Sequence, residues 1–95
     1  MAEMKSIGML ETEGMVPLIQ GADAAVKAAN VDLVEWRKVG SGYVSFVIEG
    51  EVAAVRSAIE AGSEAAGSVG KVVSSLVIPK PVDELKSTFG GKKKR

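Results

Sequence analysis

The sequence, 95 residues long, has no cysteine and no histidine. Without cysteine there is no disulfide framework and no thiol nucleophile, which fits a reducing cytoplasm. Without histidine the commonest general base is missing, and the commonest transition-metal ligands go with the pair. No cofactor or metal is therefore expected. Aromatic residues make up only 4% of the chain, so rings that could stack on bases are scarce. Twelve basic residues balance twelve acidic ones, and a neutral chain has no general attraction for nucleic acid or a membrane surface. No run of about 20 apolar residues is present to span a bilayer. No long apolar run follows the first charge, so no signal peptide is expected.

What the chain has is small apolar side chains. Apolar residues reach 46%, mostly alanine and valine, and each of these buries little area. A single domain of this size hides only about two-thirds of its unfolded surface. Such a domain often gains stability by associating with copies of itself. The expected domain covers residues 4–89. Beyond Gly90-Gly91 the chain reads 92-KKKR-95, so 90–95 is expected to be a flexible basic tail.

Residues 4–12 predict a first strand, with Met4, Ser6, Gly8 and Leu10 on one face and Lys5, Ile7, Met9 and Glu11 on the other; Glu13-Gly14 closes it as a turn. A helix is expected over 15–31. Pro17 suits its first turn, and Leu18, Ile19, Ala22, Ala25, Val26 and Ala29 form one apolar stripe. Asn30 is expected to end it in the left-handed conformation. Strand two spans 32–39, with Leu33, Glu35, Arg37 and Val39 alternating against Val34, Trp36 and Lys38. Gly40-Ser41-Gly42 reads as a three-residue hairpin turn leading into strand three, 43–49. A second helix is expected over about 51–67, burying Val52, Val55, Ala58, Ile59, Gly62, Ala65 and Ala66. Strand four covers 71–78 and stops at 79-PKP-81. Residues 82–89 can make one short helical turn. The order β-α-β-β-α-β predicts an α+β, ferredoxin-like sandwich: four antiparallel strands with two helices on one face.

Catalytic equipment is sparse. Glu60 and Glu64 share a helix face, which a solvated surface explains. The segment 40-GSG-42 joins two strands, whereas a dinucleotide-binding loop must join a strand to a helix. Enzymatic activity is not expected. The stretch 40-GSGYVSF-46 partly matches an RNA-binding strand-three motif. Tyr43 can stack, but Ser41 fills the second ring position, Val39 stands where a basic residue belongs, and Gly8, Met9 and Leu10 supply no ring on strand one. No nucleic-acid partner is expected.

The phrases 7-IGMLETEG-14, 22-ADAAVKAANV-31, 38-KVGSG-42, 50-GEVAAVRSAIEAG-62 and 75-SLVIPKP-81 carry a family likeness. In order and spacing, about residues 4–85 resemble the hexamer-forming, single-BMC-domain shell proteins of bacterial microcompartments. The resemblance implies a cyclic homohexamer that tiles edge to edge into a protein layer around encapsulated enzymes, alongside other shell proteins, in the cytoplasm. It places Gly40, Ser41 and Gly42 on the rim of a central pore passed by small polar metabolites. It places Lys27, Asn30 and Lys80 at the edge between hexamers, and Lys38 at the interface between subunits. Lys80 stands where the family usually has arginine, and lysine lacks the planar fork that grips two acceptors; a weaker or more salt-sensitive layer is expected. Trp36 and Arg37 replace the family's usual tyrosine and glutamate. Trp36 is expected to pack against a ring neighbour rather than lie on the tile face. The alternative is a ligand-sensing regulatory module of the ACT or PII-like kind, which shares this topology but needs a polar pocket at a subunit interface.

Overall fold

The computed structural model describes residues 5–79. Its elements are β1 (Ser6–Glu13), α1 (Met15–Ala28), β2 (Asp32–Gly40), β3 (Tyr43–Gly50), α2 (Val52–Val69) and β4 (Lys71–Ile78). The strands form one antiparallel sheet in the order β2-β3-β1-β4. Both helices lie on one face, α1 over β1 and β3, α2 over β1 and β4. The expected fold is the observed one. The helical turn expected at 82–89 and the tail at 90–95 lie outside the described residues.

Alternation along the central strands builds the core. Ser6, Gly8, Leu10 and Thr12 of β1 are buried, as are Val44, Phe46 and Ile48 of β3. They meet Leu18 and Ala25 of α1 and Val55, Ala58, Ile59 and Ala66 of α2. In α2 the buried positions recur every three or four residues, which lays one stripe on the sheet. The helices touch through two glycines. A Cβ on Gly62 would lie 2.9 Å from the Gly21 carbonyl oxygen, and a Cβ on Gly21 would lie 3.0 Å from that of Gly62. Only a residue without a side chain lets the two backbones come so near.

Three expectations need correction. Helix α1 ends at Ala28, not residue 31, because Ala29 is already extended (φ −155°, ψ 168°). Asn30 is not left-handed; the Val31 N–H instead donates to the Ala29 carbonyl at 3.0 Å, and the chain turns there onto the end of the sheet. The stripe on α1 is also narrower than expected. Ile19 is 58% exposed and Val26 43%, because β2 lies at the sheet edge, beyond the reach of α1. Third, β2 does not alternate simply. A register shift between Leu33 and Glu35 sets Leu33 opposite Ile48 and Trp36 opposite Phe46, so a bulge turns both side chains to the helix side.

Candidate functional site: the hairpin tip and the sheet edges

The β2–β3 hairpin closes more tightly than expected. Gly40 pairs with Tyr43, which leaves the two-residue loop Ser41-Gly42. Ser41 (φ 56°) and Gly42 (φ 85°) both have positive φ, as a primed hairpin turn demands. Gly40 (φ 125°) adds a third such residue in a row. A Cβ on Gly40 or Gly42 would meet nothing within 4 Å, so the tip stands clear of its own fold. One contact fixes its direction. The Gly14 N–H donates to the Gly42 carbonyl at 2.7 Å, and the Thr12 hydroxyl donates to the Gly14 carbonyl at 3.0 Å. The hairpin tip is thereby tied to the β1–α1 turn.

The strand directions sort the expected site residues into two groups. Gly40, Ser41, Gly42 and Lys38 gather at one end of the sheet, with Glu13 and Lys71, which pair with each other across β1 and β4. Lys27 lies in the last turn of α1 and Asn30 just past it, at the opposite end, beside the start of β2 and the end of β3. Eight residues of strand separate the two ends by roughly 25 Å. Lys80 lies outside the described residues, although β4 leaves the sheet at the same end as Lys27. Lys27 is 74% exposed at its side chain and pairs with Asp23 one turn earlier at 3.1 Å. Lys38 is exposed on the helix side of β2, opposite Val44.

The reading of residues overlooked the cleft beside β2. Leu18, Ile19 and Val26 of α1 face Leu33 and Trp36 of β2 across a cavity of about 460 Å³ floored by Phe46. Trp36 is 51% exposed within one chain. On the other face of β2 the Arg37 guanidinium binds the Glu35 carboxylate through Nε, at 2.9 Å, and through Nη2. The signal for the cleft was present as Ile19 and Val26, which flank the α1 stripe and stay exposed. Val69 at the end of α2 and Val73 and Leu76 of β4 are also exposed. Among the described residues no group of three or more acidic, histidine or cysteine side chains could hold a metal, and no helix is long and apolar enough to cross a membrane.

Residues 6–81 match the BMC domain. The chain is 47% identical over 79 residues to the bacterial microcompartment shell protein PduA of Citrobacter freundii, covering 83% of this chain and 85% of that one. It is 44% identical over 86 residues to the shell protein EutM of Salmonella typhimurium, covering 90% of each. A crystal structure of a microcompartment protein from Desulfitobacterium hafniense superimposes with a TM-score of 0.79 at 33% identity, covering 98% of this chain; the chain spans 51% of that longer one. These likenesses run through the whole sheet-and-helix unit, and they set aside the sensor reading: the chain belongs to the BMC-domain family of bacterial microcompartment shell proteins.

Proposed function

We propose that the chain forms a cyclic homohexamer whose tiles join edge to edge, with Gly40, Ser41 and Gly42 of each subunit framing a central pore for small polar metabolites. The observation that carries this reading is the placement of unburied apolar surface. It includes Ile19 and Val26 of α1 with Leu33 and Trp36 of β2 toward one edge of the sheet, and Val69 of α2 with Val73 of β4 toward the other. Two different patches on opposite sides of one subunit suit a head-to-tail contact, which generates a ring where the rotation between subunits closes. A two-fold dimer would need one self-complementary patch instead.

In such a ring the tip at one strand end faces the axis and Lys27 with Asn30 at the other faces outward. Six slim turns can crowd an axis only if they carry no bulk. The Ser41 hydroxyls and the free amides of the turn then offer hydrogen bonds to a passing solute. Trp36 fills the seam, and Lys38 reaches an acid of the adjoining subunit. Lys27, Asn30 and Lys80 meet the next tile, where a lysine stem can lie along apolar surface while its ammonium seeks carbonyls. One BMC unit over 4–89, with the tail 90–95 outside it, supplies all of these surfaces. The assembled layer sits in the cytoplasm, around encapsulated enzymes and beside other shell proteins.

Sedimentation of the purified protein tests the ring. Six chains of 9.8 kDa give about 59 kDa. A species of that mass at micromolar concentration is the expected result. A single chain or a dimer at the same concentration would overturn the proposal.

A further inference from the structure

The loop Ser41-Gly42 has little of its own to hold it. A register shift between Lys38 and Gly40 breaks the β2–β3 ladder just before it. The glycines on both sides of Ser41 leave the backbone free to turn. A Cβ on either glycine would meet nothing within 4 Å, so no packing confines the tip. Among the described residues, the one backbone hydrogen bond that reaches the loop from outside the hairpin runs from the Gly14 N–H to the Gly42 carbonyl, at 2.7 Å.

Gly14 makes that bond in an unusual pose. Its backbone lies at φ 93°, ψ 158°, a region nearly closed to residues with a Cβ. Nothing around it would block a Cβ, so conformation rather than space demands glycine here. Thr12 holds the pose. Its hydroxyl donates to the Gly14 carbonyl at 3.0 Å. Thr12 is fully buried and sits between Val44 of β3 and Val72 of β4. A buried hydroxyl has no water to turn to, and leaving it without a partner is costly.

We infer that Thr12 is a positioning residue for the rim: by fixing the Gly14 carbonyl it keeps the Gly14 N–H aimed at Gly42, and so sets where Ser41 stands. The inference rests on the reading of Gly40, Ser41 and Gly42 as a pore rim, and adds what keeps that rim in shape. The strap runs from a core strand, through the turn ahead of α1, to the loop. A rim held in this way presents its hydroxyl and amides in one arrangement, so a solute meets donors and acceptors already in place. A loose tip would have to be ordered at each passage.

Two substitutions separate the hydroxyl of Thr12 from its bulk. Thr12→Val keeps the branched shape and removes the hydroxyl; Thr12→Ser removes the methyl and keeps the hydroxyl. Nuclear magnetic resonance on the purified, isotope-labelled full chain reads both. In the unchanged chain Ser41 and Gly42 are expected to show backbone order parameters of about 0.85, and in Thr12→Val values below about 0.6. The Gly14 amide should exchange about three- to tenfold faster in Thr12→Val, the span that one lost hydrogen bond allows, while Leu10 and Phe46 keep their rates. Thr12→Ser should behave as the unchanged chain does. Gly14→Ala, which meets no clash, should loosen the tip as Thr12→Val does. A tip as rigid in Thr12→Val as in the unchanged chain would overturn the inference, as would equal loosening by Thr12→Ser. These amides read the strap whether or not six tips meet at an axis, so that failure would leave the pore reading untouched.

Discussion

Gly62 shows how one missing side chain sets the packing of the molecule. Its hydrogen points at the Gly21 carbonyl, and a methyl in its place would stand 2.9 Å from that oxygen. Backbone cannot swing away as a flexible side chain does. Gly62→Ala should therefore destabilise the fold by about 1–3 kcal/mol through overpacking, against about 1 kcal/mol returned by alanine's better helix propensity. Denaturant unfolding would show the net loss as a lower midpoint. Ser41 differs in kind, because its neighbours leave it room and only its backbone constrains it. With φ at 56°, Ser41 already bears the left-handed cost of any residue with a Cβ, about 1–2 kcal/mol, so Ser41→Leu adds little to it and does not undo the fold. Rings should survive, and passage of a small polar solute into intact particles should slow; unchanged uptake would remove Ser41 from the pore rim.

At the scale of elements, β2 is the strand that its own chain leaves unfinished. All nine of its residues are exposed, including Leu33, Val34, Trp36 and Val39. Trp36→Glu should leave the monomer's circular dichroism unchanged, since the indole stands half outside the core. It should cost at least about 2 kcal/mol at each seam, as the loss of a buried aromatic anchor does, and shift sedimentation toward single chains. The end of α1 is assigned a separate role by the proposal. Lys27→Ala removes an exposed ion pair with Asp23 that is worth little to the fold, so soluble rings are expected without extended layers in electron micrographs. Normal layers would place the tile edge elsewhere. The element order, both central strands and the α2 stripe could be read from the residues, because alternation and three-to-four spacing are strong where one face is buried. β2 resisted for a physical reason: a bulge near Val34 breaks the period of two, and pattern reading assumes that period. Ile19 and Val26 misled in a related way. They are apolar yet exposed, so helical spacing assigned them to a core that does not reach them. The two-residue hairpin loop was hidden because Gly40 can belong to a turn or a strand equally well, and only its pairing with Tyr43 decides.

The molecule as a whole is flat, 39 × 28 × 15 Å along its principal axes. It is a structural shell protein, and its chemistry lies in contacts rather than in bond-making. Its core is small: Leu10, Leu18, Phe46, Ile48 and Ile59 with Val44, Val55 and three alanines. The hairpin tip and Lys27 stand at opposite ends of the sheet. The central claim is that six such units surround one axis, tips inward. Cryo-electron microscopy of the purified assembly tests it most directly. The account predicts a six-fold ring with Ser41 of every subunit lining a central opening; a ring whose axis is lined by α1 and Lys27, with the hairpin tips at the outer rim, would contradict it.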